Sequence, residues 1–159
     1  MTSGRLLSVA AAPASLRERL LGTWSLMAME GRRADGATFH PWGRDLVGRL
    51  SYDAAGHVAL QIAKRGRARF ASDDLEAGTP AEVGRAFDGY HAWLGRFEVD
   101  AVKGTVTHRI EASLFPNWEG QEQTRFVALD GDRLELRSPP LPYAGEAVEF
   151  VTRWSRHVP

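Results

Sequence analysis

Residues 105–114 have the sequence TVTHRIEASL, in which apolar and polar side chains alternate. Because successive side chains of a β-strand point to opposite faces of the sheet, this alternation predicts a half-buried strand. One predicted face carries Val106, His108, Ile110, Ala112 and Leu114, and the other carries Thr107, Arg109, Glu111 and Ser113. The pattern therefore predicts a histidine on the apolar face of a strand.

The same period of two recurs along most of the chain from residue 22 onward. It predicts eight strands, over residues 22–30, 46–53, 56–64, 91–100, 105–114, 122–130, 133–138 and 147–156. Short segments with Asp and Gly, such as 53–56 and 130–132, indicate hairpin turns between several of them. Eight antiparallel strands in up-and-down order can close around side chains or one small ligand. The predicted fold is all-β, an eight-stranded antiparallel up-and-down barrel.

Two short helices are predicted beside the strands. Capping-box spacing at Ser15 predicts the first, around residues 15–21, and at Thr79 it predicts the second, over residues 80–89. The second is inserted between strands, where a helix covers an opening or an edge of the sheet. Two interpretations remain open for it: a plug that protects the sheet, or a lid at a portal whose Phe87 and Tyr90 contact a ligand.

Length and composition limit the class of protein. The chain of 159 residues has room for one domain, predicted at 15–159 after a flexible arm at 1–14. Its 20 basic and 20 acidic residues cancel, so no nucleic-acid partner is expected. No apolar run approaches the roughly 20 residues of a membrane-spanning helix, so we expect no membrane insertion. There is no cysteine, and no signal peptide is convincing. A cytoplasmic location is expected, and the oligomeric state stays open.

Several segments resemble a bacterial and fungal lipocalin-like domain family of the lipocalin, or calycin, superfamily. They are LGTWSL at 21–26, GRLSY at 48–52, FEVD at 97–100, GTVTH at 104–108 and SLFPNWEG at 113–120. The resemblance implies a closed barrel with a cavity for a small, largely apolar molecule. It also implies that Trp24 packs at one end of the barrel beside a basic residue of the last strand. Arg153 and Arg156 both qualify, and they point to opposite faces of that strand.

Nine side chains are candidates for ligand binding. Tyr52 shares the predicted buried face of its strand, and its hydroxyl could pair with His108 to orient a carbonyl-bearing ligand. Arg125 is predicted to be a partly buried cation that meets an acidic ligand or enolate, or else pairs with Glu111, Glu122 or Glu135. The candidates are His108, Tyr52, Phe87, Tyr90, Trp93, Phe97, Phe115, Trp118 and Arg125.

Three classes of function fit this sequence. The first is binding of a small hydrophobic molecule that bears a carbonyl or acidic group. The second is a cofactor-independent cyclase or isomerase of natural-product biosynthesis, acting on a polyketide or polyene-like substrate, in which His108, Tyr52 or Tyr90 relays a proton. The third is a protein–protein scaffold with an exposed apolar patch. No cofactor is expected, and no metal, because the five histidines lack the clustered spacing of zinc sites.

Overall fold

The computed structural model describes residues 12–157. Within them lie two α-helices, ten strands and one 3-10 helix. The elements are α1 (Leu16–Leu20), β1 (Gly22–Arg33), β2 (Thr38–Phe39), β3 (Leu46–Tyr52), β4 (His57–Lys64), α2 (Pro80–Asp88), β5 (Tyr90–Asp100), β6 (Thr105–Ser113), the 3-10 helix (Pro116–Trp118), β7 (Glu122–Asp130), β8 (Arg133–Arg137), β9 (Leu141–Tyr143) and β10 (Glu146–Arg156). Residues 1–11 of the predicted arm lie outside the described part of the chain.

Eight of the strands form a closed antiparallel barrel, which confirms the predicted fold. Their order is β1-β3-β4-β5-β6-β7-β8-β10, and β10 pairs back with β1. The closing ladder runs from Trp24 opposite Arg156 to Arg33 opposite Val148. β2 and β9 extend the ends of this ladder, β2 on β1 and β9 on β10. These two strands have two and three residues, too few to show an alternation in the sequence.

Helix α1 closes one end of the barrel. Its Ser15 and Glu18 form the predicted capping box, which satisfies backbone N–H groups of the first turn. Its Leu20 is fully buried, and the carbonyl of Leu20 accepts a hydrogen bond of 2.9 Å from the Trp24 indole. The indole is itself fully buried, so the sequence-predicted end cap is built from one side chain of β1 and one turn of helix.

Arg156 is the basic residue that packs on Trp24. Its guanidinium lies 4.2 Å from the indole centroid and donates to the carbonyls of Leu21 and Arg19 at 2.8 Å. Arg153 lies on the other face of β10, where it pairs with Glu30 and Glu135. The sequence left open whether Arg153 or Arg156 packs on Trp24. The structure shows that it is Arg156, because only Arg156 lies on the face of β10 that meets α1.

A β-bulge between β5 and β6 changes the predicted faces of Ala112 and Ser113, and Ser113 now lies opposite Trp93 on the inner face. Gly95 lies opposite Ile110, but Leu94 lies opposite Ala112, so Glu111 is an extra residue on β6. Beyond the bulge the alternation shifts, and Ala112 is exposed beside Leu94 on the outer face. The prediction that Ala112 shares the buried face of His108 is therefore wrong.

Helix α2 lies at the rim of the barrel. It begins at the predicted capping box of Thr79 and Glu82, and none of its residues is buried. The helix is tied to the segment after β4 by a hydrogen bond of 3.0 Å from Arg67 Nη2 to the carbonyl of Ala86. In residues 12–157 no helix is both long and apolar enough to cross a membrane.

Candidate functional site

The barrel holds a cavity of about 600 Å³. The rim includes the last turn of α2, the start of β5, the 3-10 helix and β9, all at the end opposite α1. Most of the wall is apolar, and its larger side chains are Met29, Leu60, Ile62, Trp93, Leu136 and Phe150. The volume falls within the usual range for sites that take small organic molecules.

The cavity exists because the barrel opens at this end. β1 pairs with β3 only from Gly22 to Ser25, and its second half pairs with β10 and the short β2. β10 likewise pairs with β8 only from Val151 to Ser155. The two long strands therefore leave their barrel neighbours on the way to the mouth, and loops with large side chains complete the wall there.

His108 borders the inner part of the cavity and is hydrogen-bonded to Tyr52. Nε2 of the imidazole lies 2.8 Å from the tyrosine Oη, and both side chains are buried. Strand parity explains the pairing, because Tyr52 follows Gly48 and Leu50 on the inner face of β3. The structure thus brings together the two residues that the sequence predicted as a polar pair.

Burial keeps both members of this pair neutral at neutral pH. Desolvation lowers the pKa of His108 to about 3, helped by the positive charge of Arg125. Desolvation also raises the pKa of the Tyr52 hydroxyl well above its usual value, while the same guanidinium opposes that shift. His108 Nδ1 is buried and has no hydrogen-bond partner among the described residues.

Arg125 extends along the inner face of β7. Its Nη2 donates to Gln123 Oε1 at 2.8 Å and its Nη1 donates to the carbonyl of Thr124 at 3.0 Å. Burial lowers the pKa of the guanidinium to about 10, so it stays charged at neutral pH.

The three glutamates that were predicted as partners of Arg125 form ion pairs with other arginines. Glu111 lies beside Arg96, Glu122 beside Arg109, and Glu135 beside Arg153. All three belong to the outer face of the barrel, whereas Arg125 has the parity of the inner face. The predicted pairing of Arg125 with one of these glutamates is therefore wrong.

Aromatic rings line the mouth. The His91 ring is 4.7 Å from the Trp118 ring and 5.9 Å from the Trp42 ring, both in edge-on contacts. Phe115 lies 5.8 Å from Trp118, also edge to face, and these four rings all border the cavity. Burial lowers the pKa of His91 to about 4, so this ring is neutral near pH 7 and the mouth offers mainly flat apolar surface.

Three of the predicted site residues occupy other positions. Phe97 is buried beneath the cavity, with its ring 4.8 Å from Tyr52. Tyr52 reaches the cavity only through His108. Tyr90 borders the rim, but its hydroxyl donates to Gln61 Oε1 at 2.8 Å on the outer face, where it cannot relay a proton to an enclosed ligand.

The remaining candidates border the cavity, together with residues that were not predicted. Trp93, Phe115, Trp118, Phe87, His108 and Arg125 all line it. Met29, Trp42, Gln123 and Thr152 line it too. The alternation of side chains along a strand could have indicated Gln123 and Thr152, since each shares the inner face of its strand with a buried neighbour. Nothing in the local sequence indicates Trp42, which lies in the segment between β2 and β3. Within residues 12–157, no three histidine, aspartate or glutamate side chains are grouped to hold a metal ion.

Comparison with known proteins identifies the family. The model of the lipocalin-like domain matches residues 21–157. A relative in Aspergillus oryzae, the 4'-hydroxy-3'-methoxypropiophenone carrier protein, is 34% identical over 103 residues, which make up 60% of this chain and 93% of the relative. The match to the family model covers every strand of the barrel, from Trp24 in the end cap to Arg156 that packs on it, and it confirms the resemblance read from the sequence segments. This chain is a member of the lipocalin-like domain family.

Proposed function

We propose that this protein binds a small, largely hydrophobic molecule that bears a carbonyl or acidic group, and carries it unchanged inside the barrel. The observation that carries the proposal is the cavity of about 600 Å³, with an aromatic mouth and a few polar side chains further in. The lipocalin-like family and a relative that is a carrier protein support binding of a small hydrophobic ligand. The site residues proposed here are His108, Arg125, Trp93, Phe115, Trp118 and Phe87.

The ligand named for the relative fits a cavity with an aromatic mouth and polar side chains further in. 4'-Hydroxy-3'-methoxypropiophenone is a flat aromatic ketone with a phenol and a methoxy group. An aromatic ring gains contact area against the rings of Trp118 and Trp93, which both border the cavity. A ketone or phenol oxygen accepts hydrogen bonds, and the guanidinium of Arg125 offers donors. We therefore propose an aromatic carbonyl compound as the ligand class.

A cyclase or isomerase in the same cavity is the competing proposal. General acid–base catalysis is most efficient when the pKa of the catalytic group lies near the working pH. Burial moves His108 to a pKa of about 3 and raises the pKa of Tyr52, which makes one a weak base and the other a weak acid. These directions favour binding over turnover.

Calorimetric titration with 4'-hydroxy-3'-methoxypropiophenone tests the proposal on two matched variants. Met29 borders the cavity, whereas Met27 on the same strand is 55% exposed. A tryptophan at position 29 fills part of the cavity, so we expect Met29→Trp to weaken binding about tenfold, or about 1.4 kcal/mol. Met27→Trp should bind like the parent protein.

Three outcomes would contradict this proposal. The first is absence of binding to the parent protein, and the second is equal affinity of both variants. The third is chromatographic recovery of an altered compound after incubation, which would favour the enzyme instead. Thermal unfolding of both variants shows that the barrel is intact.

A further inference from the structure

Two polar side chains of the inner cavity use an acceptor atom within the protein. Gln123 Oε1 accepts from Arg125 Nη2 at 2.8 Å, and the NH2 group of the amide has no partner among the described residues. Thr152 Oγ1 accepts from the Trp154 indole at 2.8 Å, and its hydroxyl hydrogen has no partner among the described residues. Both Gln123 and Thr152 border the cavity. Each therefore has a free donor there.

The hydrogen bond between Tyr52 and His108 also determines which nitrogen of the imidazole carries the proton. The tyrosine Oη has this single partner within the described chain. If the tyrosine donates to Nε2, its hydroxyl is satisfied and the neutral imidazole carries its proton on Nδ1. The opposite assignment leaves both the tyrosine hydrogen and the Nδ1 lone pair unpartnered in a buried place, which costs more. Nδ1 is thus an N–H donor, buried and without a partner among residues 12–157.

Arg125 adds a positive charge and further donors. Its guanidinium and side-chain nitrogens carry five N–H groups, of which two are used on Gln123 and Thr124. Within the described residues Arg125 has no ion-pair partner. The carboxylates that border the cavity are Asp88 at the end of α2 and Glu122. Glu122 is paired with Arg109 on the outer face, and Asp88 is exposed at the rim.

From this arrangement we infer that the ligand is bound as an oxyanion with delocalised charge, the conjugate base of a phenol or enol that is conjugated with a carbonyl. The inference rests on the proposed function and defines the ionisation state that the cavity accepts. An unpaired guanidinium beside free N–H and O–H donors complements an acceptor-only anion, because it gains a charge-assisted hydrogen bond that a neutral hydroxyl does not provide. Delocalised charge suits the apolar wall better than a compact carboxylate does, because it is less costly to desolvate.

The test follows the ionisation of a bound probe by its ultraviolet spectrum. The probe is 4'-hydroxy-3'-methoxypropiophenone, and its methyl ether 3',4'-dimethoxypropiophenone is the control that cannot ionise. The carboxylate arm is 3,4-dimethoxybenzoate. We expect the pKa of the bound phenol to fall by about one unit or more, equivalent to about tenfold tighter binding of the phenolate than of the phenol. The benzoate should bind more weakly than the phenolate.

Two arginine variants test whether Arg125 causes the pKa shift of the bound phenol. Arg125→Met removes the inner charge, and Arg109→Met removes a charge of the outer face beside His108. The pKa shift of the probe should vanish in Arg125→Met and persist in Arg109→Met. Should Arg125→Met fail to fold, the shift measured on the parent protein decides by itself.

The outcomes separate this inference from the proposed function. If neither the phenol nor its methyl ether binds at any pH, the proposed function fails and the inference with it. If both bind but the phenol keeps or raises its pKa, the inference alone is overturned. Tighter binding of the benzoate than of the phenolate, or a shift that survives in Arg125→Met, also overturns it.

Discussion

Tyr52 and His108 meet inside the barrel although their strands are not neighbours. β4 and β5 lie between β3 and β6 in the sheet, yet the tyrosine Oη and the imidazole Nε2 are 2.8 Å apart. Both side chains are buried. The hydrogen bond therefore connects two strands that no backbone ladder joins, and it holds the imidazole that borders the cavity.

The Tyr52→Phe variant measures the contribution of this bond. It leaves Nε2 of His108 buried without a partner, and an unsatisfied buried polar group costs about 1–3 kcal/mol. We expect the free energy of unfolding, measured with urea, to fall by that amount. The affinity for an aromatic ketone should fall as well, because the protonation of Nδ1 is no longer imposed.

Tyr90→Phe is the matched control for that experiment. Its hydroxyl bonds to Gln61 on the exposed face, where water can replace the partner. The stability should change by less than about 0.5 kcal/mol. Equal losses in the two variants would show that the Tyr52 hydrogen bond has no special weight.

The buried His108 and the half-buried His91 predict a pH dependence of stability. The folded pKa is about 3 for His108 and about 4 for His91, below the value of 6.5 taken for the unfolded chain. For a lowered pKa the unfolded state binds more protons, so this stability is complete above pH 6.5 and is lost as pH falls toward 3. The loss should approach about 1.4 kcal/mol per pH unit for each histidine.

Urea unfolding at several pH values between 7 and 4.5 checks this slope. His108→Gln should flatten the slope, since it removes one of the two groups. His57→Gln, at an exposed histidine that pairs with Asp53, is the matched control and should change the slope less than His108→Gln does. A parent protein whose stability is constant over this range would show that the imidazoles are not desolvated.

The strands and the pair of Tyr52 and His108 could be predicted from the sequence, because both follow from the period of two. Parity placed Tyr52 and His108 on the inner face, and the resemblance to lipocalin-like domains supplied the closure that brings their strands together. Parity failed at Ala112, since a bulge shifts the alternation there. Gly95 within its strand is a marker of a bulge, but it does not show which residue of the partner strand is the extra one. It also could not choose between Arg153 and Arg156, because the choice depends on the face of β10 that meets α1.

The cavity itself was harder to predict. Its wall includes Trp42 and residues of β9, which reach the site through loops whose course depends on packing at the open end. The outward hydroxyl of Tyr90 depends on Gln61, a partner from another strand. Contacts of this kind have no period in the sequence, so they appear only when the chain is folded.

Gly95 is the residue that the bulge requires. A Cβ at this position would lie 2.0 Å from the carbonyl oxygen of Arg109, a backbone atom that cannot move alone. Gly95→Ala should therefore destabilise the barrel by about 3 kcal/mol or more. Gly84→Ala in α2 meets nothing within 4 Å and should stabilise by about 0.5–1 kcal/mol, since alanine favours helix. Thermal unfolding of the two variants compares them, and a neutral Gly95→Ala would mean that β6 is not bulged there.

The final prediction concerns the contact of Arg156 with Trp24. Arg156→Met removes the cation over the indole and leaves the carbonyls of Leu21 and Arg19 without their donors. The combined loss should be about 2–3 kcal/mol. Arg153→Met gives up ion pairs of the outer face and should cost about 1 kcal/mol or less. The indole N–H resonance of Trp24 should shift in the first variant and stay in the second. Equal costs, or an unchanged resonance in both, would show that the end cap does not depend on Arg156.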